Sequence, residues 1–264
     1  MADILYIPHG GGPLPLLGDA AHAELIRFLQ KIPDRIGRPE AILVVSAHWE
    51  ELKPMVTSAK KPKLIYDYSG FPEEAYAIEY PAPGNPELAE QIVGLIKADG
   101  GTAWRHSQRG FDHGVYIPLK IMYPEASIPC VQVSLMSSLD PADHIQLGKT
   151  LAGLRRENIL VLGSGFSFHN LKALILGGNA ESNAQNEQFQ KWLVDTCTSP
   201  IPEAERIQRL VEWEAAPFAR YCHPREEHLL PLHVCCGMAQ AAGEQVFAEK
   251  IMGKKACAFL WRTT

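Results

Sequence analysis

The sequence of 264 residues has no dense basic run. The nearest is Lys60-Lys61-Pro62-Lys63, and the formal net charge is -5. A nucleic-acid groove needs clustered Lys and Arg to offset phosphate charge, so no nucleic-acid partner is expected. Cysteine is sparse and unpatterned: Cys130, Cys197, Cys222, Cys235, Cys236 and Cys257 include no C-x-x-C pair, and adjacent Cys235-Cys236 makes no zinc knuckle. They read as reduced core thiols of a cytoplasmic protein. No apolar stretch approaches the roughly 20 residues of a membrane helix. The opening Met1-Ala2-Asp3-Ile4-Leu5-Tyr6-Ile7-Pro8 lacks the basic and long apolar regions of a signal peptide. No membrane partner is expected either. Gly10-Gly11-Gly12-Pro13 is not G-x-G-x-x-G, and no acidic residue follows where a ribose would need one, which excludes a dinucleotide fingerprint.

What is present is an ordinary globular composition, 46% hydrophobic and 21% charged. Short apolar runs rich in β-branched residues read as buried strands: Ile4 to Ile7, Ala41 to Ser46, Ile128 to Leu135, Ile159 to Leu162 and Ala256 to Trp261. Between them, helical periodicity covers Ala20 to Ile32, Pro86 to Ala98, Pro141 to Arg156, Ala184 to Cys197 and Leu232 to Ala242. Asn85-Pro86 and Asp140-Pro141 each supply a capping residue followed by proline in the first turn. No linker or repeat divides the chain. The expectation is a single α/β domain over residues 1–264, with a central mostly parallel or mixed sheet and helices on both faces. Lys53 to Gly84, dense in Pro, Tyr and Gly, reads as a long excursion with short strands, the kind that forms lids or pocket walls.

Ligands of open α/β sheets bind beyond the carboxyl ends of the strands. Three of the ten histidines fall there: His9 after the first strand, His48 after Ala41 to Ser46, and His169 after Ile159 to Leu162 and the loop Gly163-Ser164-Gly165. One such histidine is more often a hydrogen-bonded core or surface residue; three on separate strands point to a shared site. Tyr221 to His233 adds three more histidines and two glutamates ahead of a helix, with Pro231 in its first turn and His228 in the approach. Glu226 and Glu227 read equally well as a solvated stretch near the positive end of that helix dipole. In Gly110-Phe111-Asp112-His113-Gly114, ahead of the apolar helix Val115 to Met122, His113 suits a cap, a turn or a substrate contact. Three imidazoles with open coordination positions suit zinc or a ferrous ion alike. Trp49, Tyr66, Tyr68 and Phe71 are candidates for an aromatic pocket or for ordinary packing.

Six blocks in order carry a resemblance: His9-Gly10-Gly11, Val45-Ser46-Ala47-His48-Trp49, Tyr80-Pro81-Ala82-Pro83-Gly84, Gly110-Phe111-Asp112-His113-Gly114, Gly163-Ser164-Gly165 through His169-Asn170-Leu171, and His223-Pro224 through His228-Leu229-Leu230-Pro231-Leu232. With these the chain resembles the class III extradiol ring-cleavage dioxygenases, in the branch of the LigB-like superfamily that contains 4,5-DOPA extradiol dioxygenases. The resemblance implies cleavage of a catechol ring by O2 at a non-haem metal held by His9, His48 and His228. It implies His169 as acid–base residue, and His113 and His223 as substrate contacts. A histidine stands at the third ligand position, where protocatechuate-type relatives carry a glutamate. Fe(II) is the ion implied for activity, and Zn(II), which lacks redox chemistry, would also occupy three histidines. The rival readings are a zinc hydrolase with His169 as base and a binding protein that keeps the fold without catalysis.

Overall fold

The alternation of apolar runs folds as one mixed sheet, seen in a computed structural model that describes residues 3–262. Met1, Ala2, Thr263 and Thr264, the ends of the expected domain and of the stretch read for a leader, lie outside the described residues. The strands are β1 (Asp3–Pro8), β2 (Ala41–Glu51), β3 (Met55–Thr57), β4 (Trp104–His106), β5 (Cys130–Met136), β6 (Ile159–Gly165), β7 (Glu244–Phe247), β8 (Lys250–Ile251), β9 (Lys254–Lys255) and β10 (Ala258–Arg262). The helices are α1 (Ala23–Lys31), α2 (Pro33–Ile36), α3 (Pro86–Ala98), α4 (His113–Met122), α5 (Pro141–Leu151), α6 (Leu171–Leu176), α7 (Ala180–Thr198), α8 (Glu203–Val211), α9 (Ala219–Cys222) and α10 (Leu230–Ala239). Sheet order is β4-β3-β5-β2-β6-β1-β10-β7, with β8 and β9 forming a separate hairpin. The four central strands β5, β2, β6 and β1 run parallel. Antiparallel β10 and β7 extend one edge, and β3, antiparallel to β5, extends the other. This is the expected mixed sheet.

The faces of the sheet can be read along β6. Ser164 points one way, its hydroxyl donating to the Gly114 carbonyl at the start of α4. Gly163 and Gly165 point the other way, toward Cys235 and Pro231 of α10 and toward His228. Helices therefore cover both faces, as period-2 alternation in a strand buried on both sides requires. Every residue of α10 is buried. Its Leu230, Leu232, Val234 and Met238 each contribute about 1.5–3 kcal/mol by leaving water. Among the described residues no helix is long and apolar enough to cross a membrane.

Both proline-following caps form. Asn85 accepts from the Leu88 N–H and Asp140 from those of Ala142 and Asp143. Helix α7 begins earlier than the periodicity suggests, at a capping box between Asn179 and Ser182. The stretch expected as one helix from Ala20 opens as a 3-10 turn, Ala20–His22, before α1. Pro141 to Arg156 is α5 followed by a 3-10 turn, Ala152–Arg156. Helix α10 starts at Leu230 and ends at Ala239, where Gln240 turns left-handed with φ 52°.

Two corrections bear on function. Strand β2 does not stop at Ser46: its register with β5 jumps from Val45 opposite Val133 to Glu50 opposite Leu135, so His48 sits inside a bulge of a continuing strand. Bulges re-aim side chains near sites, which a strand of uniform pleat cannot do. Gly163-Ser164-Gly165 is likewise strand, paired with Tyr6, Ile7 and Pro8 of β1, rather than a loop. Glycine is needed there because a side chain on Gly165 would run into the His228 carbonyl. That carbonyl is tied to the sheet by the Phe166 N–H (3.0 Å) and the Tyr6 hydroxyl (3.1 Å). Gly165→Ala is expected to cost about 1–3 kcal/mol as overpacking, seen as a lower urea midpoint, and to displace His228. An unchanged midpoint would contradict this account.

Candidate metal centre

Five histidines from five chain segments meet at the carboxyl ends of the parallel strands. His9 leaves β1 with its N–H bonded to the Gly165 carbonyl at 3.0 Å. The chain then turns through Gly10, whose φ of +88° is unfavourable for a residue with a side chain and whose Cβ would sit 2.7 Å from Pro15. The Gly11 N–H donates to His22 Nε2 (3.0 Å), and His22 Nδ1–H is held by Asp19 (2.6 Å), which fixes the turn. His48 projects from the β2 bulge, His113 opens α4, His169 follows β6 with its N–H on the Cys222 carbonyl, and His228 precedes α10.

His9 Nε2 and His48 Nε2 are 3.0 Å apart. Two imidazole nitrogens each about 2.0–2.1 Å from one ion, at a right angle, would be separated by about this much. The His228 ring centroid lies 5.2 Å from that of His9 and 4.9 Å from that of His48. His113 is nearer to His48, at 3.9 Å, and ligand atoms of His9, His48 and His113 fall within 4.8 Å of one another. A second group of the same tightness joins His169, Glu227 and His228, with the His169 and His228 rings stacked at 3.3 Å.

The outward nitrogens are engaged. Ser164 Oγ, its proton directed to Gly114, accepts from His9 Nδ1–H at 2.9 Å. Glu227 Oε1 accepts from His228 Nδ1–H at 2.9 Å and lies 3.0 Å from His169 Nδ1. Asp67 Oδ1 accepts from both the backbone N–H and Nδ1–H of His113, at 3.0 and 2.9 Å, while Oδ2 is 3.6 Å from His48 Nδ1. Donation from Nδ1 leaves the Nε2 lone pair for a metal or a substrate proton, the arrangement found behind metal-bound histidines.

Electrostatics favours the neutral ligand form. Burial first, then repulsion from neighbouring imidazoles, holds His9 and His228 well below the ordinary histidine range. Burial and His113 push His48 down to about 3. Burial would raise the carboxyls of Asp67 and Glu227, but the hydrogen bonds and charge of His113 and His169 outweigh it and keep both carboxyls low. Beneath the site Asp112 is raised by burial; its carboxylate accepts from Ser46 (2.7 Å) and Gln132 and lies 3.2 Å from Arg109. The donor set of several neutral buried imidazoles backed by carboxylates therefore fits a divalent transition metal.

The sequence-predicted residues His9, His48, His113, His169 and His228 all line a cleft of about 440 Å³. His223 does not. It is fully buried between Phe189 and Trp213, with Nε2 bonded to the Ser167 carbonyl at 3.0 Å, outside the cleft lining. Of the aromatics, Tyr68 and Phe71 line the cleft. Tyr66 packs against other tyrosines, and Trp49 is buried under the Arg109 guanidinium. Glu227 is not a solvated residue, being 8% exposed and shared by two histidines, whereas Glu226 does pair outward with Arg220. The sequence gives no sign of Asp67, and it shows Ser164 only as part of Gly163-Ser164-Gly165, without a role. Asp67 lies in the irregular excursion, where spacing carries no signal, and Ser164 was masked by its glycine neighbours.

A parallel-centred sheet with buried, neutral imidazoles converging beyond its strand ends defines a histidine-based metal-capable centre. Over residues 3–259 the chain matches the family described as the catalytic LigB subunit of aromatic ring-opening dioxygenase. It is 38% identical to a dioxygenase named tasH from Hapsidospora irregularis, covering 99% of this chain and 86% of that one. It is also 38% identical to the 4,5-DOPA dioxygenase extradiol of Beta vulgaris (94% and 90% covered) and 36% identical to that of Escherichia coli strain K12 (86% and 82%). The crystal structure of an uncharacterized Escherichia coli K12 protein superposes with a TM-score of 0.78 at 28% identity, covering 98% of this chain and 99% of that one. The chain belongs to the LigB family and is an extradiol ring-cleaving dioxygenase.

Two outcomes follow. Glu227→Gln keeps the shape but weakens the acceptor shared by His169 and His228. It is expected to lower metal affinity or activity roughly 10–100-fold, measured by competition with a chelator and by oxygen uptake. Separately, His223 and His233 are held by burial at about 3 and about 4, and His9, His48 and His228 are also depressed. Unfolded imidazoles titrate near ~6.5, so below that pH the unfolded chain binds protons that the folded chain refuses. Stability of the metal-free protein is expected to fall steadily from pH 6.5 toward 4. A urea midpoint flat across that window would contradict it.

Proposed function

We propose that the whole chain, as one catalytic domain, opens the ring of a catechol beside its diol with O2, using Fe(II) held by His9, His48 and His228. The observation that supports the reading is the convergence of imidazoles, with His9, His113 and His228 aimed by hydrogen bonds from Nδ1 to Ser164, Asp67 and Glu227, in a chain of the LigB family. When bound, Fe(II) supplies the Lewis acidity and electron exchange with dioxygen that the reaction needs; Zn(II) fits the same nitrogens but supplies no redox chemistry. His169, with Nδ1 beside Glu227, keeps Nε2 free to take a catechol proton and return it to the product. His113, with Nδ1–H on Asp67, accepts from a substrate hydroxyl through Nε2. His223, placed behind the cleft wall, supports the loop that carries Glu227 and His228 rather than touching substrate. Six free, buried cysteines suit a reducing, cytoplasmic setting.

The 3.9 Å approach of His113 to His48 favours one alternative ligand set, His9, His48 and His113. Metal analysis separates the two. His228→Ala and His48→Ala are expected to empty the site while His113→Ala retains metal; the reverse pattern for His113 and His228 establishes the alternative. Anaerobic loading with Fe(II), followed by a panel of catechols in oxygenated buffer, should give oxygen uptake and a yellow ring-opened product. His169→Gln is expected to lower turnover by about 10²–10⁴-fold with metal content near normal. Absence of turnover on every catechol overturns the reading, and turnover independent of oxygen would point to a zinc hydrolase.

A further inference from the structure

Above the histidines the cleft wall is built by Leu14, Phe71, Phe166, Leu174, Ile175 and Met252. These come from the loop after β1, the excursion, the segment after β6, helix α6 and the β8–β9 turn, and Ser69 of the excursion stands among them. Among the described residues no Lys, Arg, Asp or Glu lines the cleft. Asp67 and Glu227, the nearest carboxylates, stand behind the histidines they orient and do not face the cleft. The Tyr68 hydroxyl is also committed: it donates to the Ala75 carbonyl at 2.6 Å and accepts from Tyr116 at 2.8 Å. At the rim, Leu171 and Ile175 of α6 are 57% and 74% exposed and carry the apolar lining out to the surface.

We infer that the substrate is a catechol whose ring substituent is uncharged and apolar, an alkyl or aryl chain, rather than one carrying an amino-acid head group. The inference rests on the ring-cleavage reading, which directs the two diol oxygens to the histidines and hence the rest of the ring to this wall. A carboxylate or ammonium moved there from water would lose hydration and meet no counter-ion, with Ser69 the one lining hydroxyl not already committed. An alkyl chain gains contact with each methylene it buries, and apolar pockets discriminate by about 10–200-fold per such group.

The test compares 4-propylcatechol, 3-(3,4-dihydroxyphenyl)propanoate and L-DOPA as substrates of the Fe(II)-loaded full chain, with kcat/KM taken from oxygen uptake. Binding of the same three to the Zn(II)-loaded protein is followed by calorimetry. 4-Propylcatechol is expected to exceed both charged catechols by roughly 100-fold in kcat/KM and to bind more tightly. Equal or better kcat/KM for L-DOPA overturns the inference and leaves ring cleavage standing, whereas failure to bind or open any of the three overturns both. Ile175→Arg, at an exposed position that folding tolerates, adds a cation to the wall. It is expected to shift the ratio of the propanoate to 4-propylcatechol at least about 10-fold toward the propanoate. An unchanged ratio, repeated with Leu171→Arg, overturns the role given to this wall.

Discussion

The structure is governed by a restriction on charge: His9, His48 and His228 share a space in which none of the three takes up a proton cheaply. Burial and mutual repulsion depress His9, His48 and His228 together, so the group as a whole is a set of lone pairs awaiting a cation. Negative charge is supplied from outside that set, by Asp67 on one flank and Glu227 on the other. Neither carboxylate needs to be a ligand. Each fixes a tautomer, and Glu227 does so for two rings through one oxygen.

Holding such a set together asks unusual things of the sheet. Strand β2 swells at Ser46 to Trp49 so that His48 can leave the pleat, and β6 gives up side chains at Gly163 and Gly165 so that α10 and the residue before it can approach. Arg225, three residues ahead of His228, grips Glu50, two residues beyond His48, through both carboxylate oxygens at 2.7 and 2.6 Å. This bidentate pair joins two segments remote in sequence that meet only at the site.

Much of this was legible in the sequence. Strand cores and the two proline-following helix starts could be read because burial on both faces and helix capping each leave a periodic or positional mark. His9, His48 and His169 could be read because strand ends in parallel sheets are where ligands bind. The extra length of β2 and the strand character of Gly163 to Gly165 could not, because polar and small residues mark loops by default and only the facing helix explains them here. His223 and His228 looked alike in sequence; the fold turned one into the wall of the core and the other into the cleft. Glu227 reads as a helix-flanking acid because its partners are His169, in the segment after β6, and its own neighbour His228.

The histidine cluster and its rim differ in burial: His9 and His228 are almost wholly enclosed, whereas Leu171 and Ile175 stand largely in solvent. Four of the histidines stand on or beside β1, β2, α4 and α10, and His169 stands in the segment between β6 and α6; the rim is formed in part by α6, a helix of six residues whose Leu171, Ile175 and Leu176 are exposed. Such a division makes the protein evolvable in a particular way. Exchange of the exposed side chains on one short surface helix could retune which molecules enter, generation after generation, while the cap at Asn170 that follows His169 stays in place.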